Sequence, residues 1–442
     1  MELVTCYSKR IVSFTHKKAF EATAQKYREA VDFFIDVALP LARILSCMRF
    51  QTAKVNLIEY LTVKTKDNPD VPYDFSEKFY KFPSYYRRAA ISEALGKVSS
   101  YWSNLNNWIE SGRKGKMPGK PTAGYIYPAL YKQQCYESTG LYSARVKVYI
   151  RNTWDWIDIP LRKSDADYIK RHCSNRTECA PTLQKRGKVW SLDFAYKETV
   201  ELIDTPVKEQ IVLAVDLGIN SACTCCAMKS DGTIIGRRFL HLPVEEDSLK
   251  HAFNRIRKAQ RNGAKSTPRL WAYAKGINDH IATKTAQFII ETAEKFNADV
   301  IVFEHLDLGK KKRGKGKQRL HHWRAKYVQA MVTLRAHRLG MHVSHVCAWN
   351  TSRLAFDGSG RTERGEKANL DSYSVCRFST GKVYNCDLNA SYNIGARYFI
   401  RELLKPLRKT ERLGIEAKVP QCSKRSTCTL STLISLNAAL AA

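Results

Sequence analysis

Two unbroken apolar runs, IVLAVDLGI at 211–219 and DVIVFEHL at 299–306, restrict the possible folds more than any other feature of this chain. A strand without polar alternation is buried on both faces, and such strands need helices above and below them. The flanking sequence supplies these: NDHIATKTAQFIIETAEKFN (278–297) and HHWRAKYVQAMVTLRAHRLG (321–340) carry apolar residues at three- and four-residue steps. SDGT is a turn, TIIGRRFLHL (233–242) a further strand, and MHVSHVCAWN (341–350) another. Strand–helix–strand alternation of this kind predicts an α/β sheet for the C-terminal half.

The N-terminal half reads differently. Residues 1–17 are extended, and 16–47 turn helical. A second amphipathic helix or helix pair, PSYYRRAAISEALGKVSSYWSNLNNWIESG, ends at Gly112 before the basic loop GRKGKMPGKPT. Residues 124–204 have strand composition, with PTLQKRGKVWSLDFAYKE as two strands around a turn. A helical segment is thus inserted in a β-rich one, with a boundary near 205–210 and no internal repeat.

Lys and Arg number 73 against 42 Asp and Glu, a formal net charge of +31. Charge on this scale points to polyanionic partners, nucleic acid first. MELVTCYSKRIVSF lacks the apolar core of a secretory leader, and TLISLNAALAA is shorter than the ~20 residues that span a bilayer. The thirteen cysteines are odd in number, with Cys223, Cys225 and Cys226 in one apolar run, as expected of buried thiols in a reducing compartment. A cytoplasmic, prokaryotic, nucleoid-associated protein without membrane contact is expected.

Each buried-strand pattern carries one acid, Asp216 and Glu304, and a third, Asp387, opens the helical pattern CDLNASYNIGARY. An unpaired buried carboxylate is costly, so each must cap an element, pair with a cation or hold a metal. Oxygen-only ligation suits Mg²⁺ or Mn²⁺, and two such ions about 4 Å apart can activate water and stabilise the leaving oxygen of a phosphodiester. In a strongly basic chain, phosphodiester hydrolysis is the favoured chemistry.

DLGINS (216–221), FEHLDL (303–308) and CDLNASYNIGARY (386–398), in that order, resemble the split RuvC nuclease of the TnpB family, transposon-encoded RNA-guided DNA endonucleases close to the miniature type V CRISPR nucleases. The resemblance covers the C-terminal half and assigns Asp216, Glu304 and Asp387 as catalytic acids and Mg²⁺ ligands. It implies an α/β RNase H-like (RuvC) nuclease domain at 207–350 and 384–405, preceded by a β-rich wedge domain (1–17 and 116–206) with an inserted α-helical recognition lobe (18–115). Residues 406–442 form a C-terminal tail. The implied partners are a guide RNA and double-stranded target DNA, with a monomer or dimer on one guide.

Basic residues supply candidate phosphate contacts: Arg87 and Arg88 in the helical lobe; Arg255, Arg257, Lys258, Arg261, Lys265 and Arg269 in an acid-free stretch; and Lys310, Lys311, Lys312 and Arg313 just after Glu304. Such contacts add affinity and salt dependence but carry no sequence information. Tyr85, Tyr86, Trp102 and Trp108 are either base-stacking platforms or helix core, and His321 and His322 read as exposed residues at a helix start.

TnpB relatives usually carry a four-cysteine zinc ribbon before the last aspartate. Here Ala355 and Gly358 stand in the first pair of cysteine positions, and only Cys376 remains near the second, with Ser379 three residues on. Zinc is therefore not expected. Residues 351–383 are read as a degenerate zinc-ribbon-like insert, a small Gly-rich hairpin steadied by Tyr373, Phe378 and Tyr384. Cys386 reads as a mere neighbour of Asp387, and Asn389 and Asn393 as support for the site or as packing. The function implied is RNA-guided DNA cleavage. The alternatives are a guide-directed DNA-binding protein or repressor without efficient cleavage, and a RuvC-type enzyme without a guide.

Overall fold

In the computed structural model, which describes residues 1–12, 15–218, 222–306 and 323–441, the chain forms two units, Glu2–Thr199 and Val200–Ala442. The first is built on β1 (Glu2–Arg10), which pairs antiparallel with β7 (Val189–Thr199) from Glu2↔Thr199 to Arg10↔Ser191. β5 (Thr177–Glu178) and β6 (Thr182–Arg186) also pair with β7, the latter as a hairpin. β2 (Tyr136–Gly140), β3 (Ser143–Ile150) and β4 (Thr153–Pro160) make a separate antiparallel meander. The first strand is shorter than the seventeen residues read as extended. Beyond Arg10 the described residues continue as a bridge from Ile11 to Leu161 and a bond from the Val12 N–H to the Pro160 carbonyl at 2.9 Å, and α1 begins at Lys17.

Between β1 and β2 lie α1 (Lys17–Ala38), α2 (Ala42–Cys47), α3 (Gln51–Thr62), α4 (Phe75–Lys78) and α5 (Ser84–Glu110); α6 (Lys163–Cys173) follows β4. α1 ends at Ala38; its C-cap Leu39 is still in helical geometry and donates its N–H to the Ile35 carbonyl, and the next residue, Pro40, has no N–H with which to continue the ladder. Phe20, Ala24, Tyr27, Val31 and Phe34 form its buried stripe, and Phe34, Phe75, Phe79, Phe82 and Tyr86 continue it as stacked and edge-on rings. Tyr86 is fully buried and donates its hydroxyl to the Lys147 carbonyl at 2.7 Å, so this ring is core. α5 is one continuous helix.

In the second unit five strands form one sheet in the order β10–β9–β8–β11–β12: β8 (Ile211–Asp216), β9 (Cys223–Lys229), β10 (Ile234–Leu240), β11 (Val300–His305) and β12 (His342–Cys347). The first three run antiparallel, and β8, β11 and β12 run parallel. α7 (Pro243–Arg261), α8 (Pro268–Lys295) and α9 (Ala325–Arg338) precede β11 and β12; α8 and α9 pack on one face of the sheet. α10 (Cys386–Leu404) covers the other face, and α12 (Leu430–Ala441), which follows α11 (Lys409–Lys418), packs on α10. This burial on both faces is what the apolar runs predict. The fold is mixed α/β.

The insert is not a plain hairpin. β13 (Glu363–Arg364), β14 (Val375–Arg377) and β15 (Val383–Asn385) form a small antiparallel sheet, with a 3₁₀ turn at Gly365–Ala368. Phe378 and Tyr384 pack with Phe356, as expected, but Tyr373 lies outside this cluster at 71% exposure. Its position ahead of β14 turns the ring onto the backbone of Gly365, which has φ +59° and where a Cβ would lie 2.7 Å from the ring. Among the described residues no helix is long and apolar enough to cross a membrane.

Candidate active site

Asp216 ends β8 and Glu304 stands one residue before the end of β11. The parallel ladder runs from Val300↔Val212 to Phe303↔Val215, so Glu304 comes level with Asp216 one step further on. Asp387 sits in the first turn of α10, whose N-cap Asn385 accepts a hydrogen bond from the Leu388 N–H at 2.9 Å. Two turns on, Gly395 lets this helix lie close to the sheet. A Cβ there would stand 3.1 Å from Met228 Sδ and 3.3 Å from Ala214 Cβ.

Asp216 feels the charge of both other acids. Burial holds the Asp216 carboxyl well above the usual range, and the charges of Glu304 and then Asp387 push it further, while Arg364 opposes them. Burial also raises Glu304, against a hydrogen bond from Thr351 and the charge of Arg397. Asp387 is raised by burial and relieved by Arg364 and His241. The positive end of the helix favours the ionised form of Asp387, but desolvation outweighs it. Among the described residues, no three His, Cys, Asp or Glu side chains converge closely enough to hold an ion as they stand.

Asn389, Asn393 and Arg397 follow at four-residue steps and lie buried along α10. Neither asparagine is simple packing. Asn389 accepts from the Phe356 N–H at 2.8 Å and donates to the Leu354 carbonyl at 2.9 Å. Asn393 donates to the Thr351 and Leu354 carbonyls, both at 2.9 Å, and accepts from the Leu430 N–H at 3.2 Å. Arg397 donates to four carbonyls: Cys347 at 2.6 Å, Trp349 at 2.9 Å, Cys428 at 3.0 Å and Ser426 at 3.1 Å. Helix α10 thus staples the connector after β12 and the C-terminal segment to the sheet.

Two residues next to the acids carried no motif. Thr351 donates its hydroxyl to Glu304 Oε1. Arg364, from the insert, is anchored by the Ser352 carbonyl at 2.7 Å and places its charge against both aspartates. Cys386 lies buried with Cys376, Ala355 and Phe378, and the Cys376 thiol donates to the Tyr384 carbonyl at 3.5 Å. The register Cys376↔Tyr384 brings the strand back to the start of α10, a proximity that linear spacing conceals.

The candidate phosphate contacts fall into three groups. Arg87 is half-buried and paired with Glu59 at 3.4 Å, and Arg88 lies 3.7 Å from the same carboxylate. Arg255, Arg257, Lys258 and Arg261 are exposed on α7, and Lys265 and Arg269 are exposed after it; Arg257 donates to Asn254 at 3.0 Å. Lys310, Lys311, Lys312, Arg313, His321 and His322 lie outside the described residues, as do 219–221 of the first acidic motif.

The Aq_aa04 family profile matches residues 5–150. A protein of Aquifex aeolicus (strain VF5), aq_aa04, is 33% identical over 135 residues, which is 28% of this chain and 73% of that protein. Among solved structures, a Cas12f1 chain in complex with an sgRNA and target DNA aligns with a TM-score of 0.51 at 14% identity. The alignment covers 89% of this chain and 98% of that one, so the mixed α/β fold is shared along most of both.

Proposed function

The chain belongs to the Aq_aa04 family, and we propose that it is an RNA-guided DNA endonuclease whose phosphodiester hydrolysis is centred on Asp216, Glu304 and Asp387. The observation that carries this is the gathering of three half-buried carboxylates at one end of a sheet, Asp216 and Glu304 on paired neighbouring strands and Asp387 at the start of the helix that covers them, in a chain of net charge +31. Carboxylates kept together against their own repulsion are arranged for a cation. The donor set fits Mg²⁺ or Mn²⁺, which take hard oxygen ligands and fill other positions with water and phosphate. Bound there, the ions would supply an activated water and stabilise the leaving oxygen. The basic residues of α7 would grip nucleic-acid backbone, and base pairing with a guide would select the target. The likeness to a Cas12f1 chain solved with an sgRNA and target DNA supports the choice of partners.

Arg364 faces the same charges and would steady the phosphate as negative charge builds up. Arg364→Ala is expected to slow cleavage by about 10²-fold at saturating Mg²⁺, with part of the rate recovered by Arg364→Lys. Equal rates in the wild type and the Ala variant would remove Arg364 from the site.

The absence, among the described residues, of three acids converging on one point favours a second reading: guided DNA binding without efficient cleavage. One experiment separates the two. The protein is purified from cells, its co-purifying RNA is sequenced, and a plasmid bearing the matching target is incubated with the complex and Mg²⁺. Cuts that vanish in Asp216→Ala, with the RNA still bound, are expected. Target binding without cuts would establish the second reading, and the absence of a specific RNA would overturn both.

A further inference from the structure

We propose that Thr351 is a positioning residue for Glu304, fixing the carboxylate in the orientation in which it receives a divalent cation; this rests on the reading of the three acids given above. Thr351 is buried, and its hydroxyl meets Glu304 Oε1. Glu304 is held from two further directions. Gln329 of α9 donates to its main-chain carbonyl at 3.0 Å, and its strand is paired on both sides. Both of these hold the main chain, so the Thr351 contact is the one that holds the side chain, at its carboxylate.

Thr351 itself is held rigidly. β11 and β12 run parallel with Glu304 opposite Val346, and the chain turns back just after β12. Arg397 clamps the carbonyls of Cys347 and Trp349 on one side of that turn, and Asn393 clamps the Thr351 carbonyl itself. The Ala348 carbonyl, 3.1 Å from the hydroxyl, is a second acceptor for the same proton, and the charged carboxylate is the stronger of the two. A hydroxyl has one proton to give. Directed at Oε1, it occupies one acceptor position and leaves Oε2 for a cation, the arrangement by which groups behind a ligand tune metal affinity.

Valine at position 351 keeps the volume and loses the hydroxyl, whereas serine keeps the hydroxyl and loses the methyl. Binding of Mn²⁺ alone to the full chain, without nucleic acid, is measured by electron paramagnetic resonance. Thr351→Val is expected to weaken binding on the order of tenfold, and to raise the Mg²⁺ concentration for half-maximal cleavage in parallel. Thr351→Ser stays within about twofold of wild type, because it retains the donor. Unchanged binding in the Val variant, or equal losses in both variants, would overturn the proposal. So would a Val variant that melts well below the Ser variant, since that assigns Thr351 a purely structural role. Glu304→Gln serves as the reference. If it binds Mn²⁺ like wild type, the reading of the acids fails, and this proposal with it. If binding follows Glu304 and Thr351 but no guided cleavage occurs, the guided-nuclease reading fails and the positioning role stands.

Discussion

Asp216→Asn is expected to abolish cleavage while raising the melting temperature of the metal-free protein. The loss should exceed about a thousandfold, since several kcal/mol of transition-state stabilisation depend on the ion that Asp216 would hold. The gain in stability has a separate cause. Burial raises the Asp216 carboxyl, and Glu304 and Asp387 add to the shift, so its ionised form is disfavoured in the fold. A carboxyl whose folded pKa lies above its unfolded value, ~3.9 for Asp, contributes stability that is fully present below that unfolded value. The contribution is lost as pH rises through the folded pKa. Asparagine has no such dependence. In EDTA, the melting curves of the two proteins should lie close together near pH 4 and separate as pH approaches neutrality. Each kcal/mol relieved is worth about 2–4 °C in a unit of this size. Added Mg²⁺ should raise the wild type and leave the variant nearly unmoved. An Asn variant that melts at or below the wild type in EDTA at pH 7 would show that the carboxylates are not strained.

The second large effect concerns stability alone. Arg397 is 4% exposed, and burial holds its guanidinium below the ordinary arginine value, yet it serves four carbonyls from two distant segments. Arg397→Met fills most of the space and leaves those carbonyls without a donor. An unsatisfied buried group costs roughly 1–3 kcal/mol, and the loss of a buried charged hub costs about 3–5 kcal/mol. A fall in melting temperature of roughly 10 °C follows. Hydrogen exchange should rise first in 347–356 and 426–430, the segments that the guanidinium joins. Arg397→Lys, with three donors on a flexible stem, should fall between the two. A Met variant within about 1 kcal/mol of wild type in urea unfolding, with exchange unchanged, would mean that water or neighbouring donors serve the carbonyls instead.

The site was only partly legible. Asp216 and Glu304 stand out because a charge inside or at the end of a continuous apolar run is anomalous by itself. Asp387 stands out because it opens a helix of otherwise small, polar and apolar residues. Asn389 and Asn393 were visible as polar residues on that helix, but their partners lie in the connector and the C-terminal segment, up to 42 residues away along the chain. Arg364 and Thr351 sit in segments without regular periodicity, so nothing in their surroundings marks them. The packing of Cys386 with Cys376 was not legible because linear spacing does not show it: the turn between β14 and β15 brings the two together.

The sequence by itself determined four of the five strands in the second unit's sheet, though not β9, α11 or α12, together with the burial of its central strands on both faces and the anomaly of three acids. These depend on side-chain periodicity and on the cost of burying charge, which act over a few residues. Only the tertiary structure decided which side chains meet the acids: Thr351 at Glu304, Arg364 against the two aspartates, and Arg397 binding the connector to the C-terminal segment. Such contacts join residues far apart in the chain through hydrogen bonds and charge. A hydrogen bond takes its direction from the backbone around it, and that direction exists only once the strands are paired and α10 is seated on them.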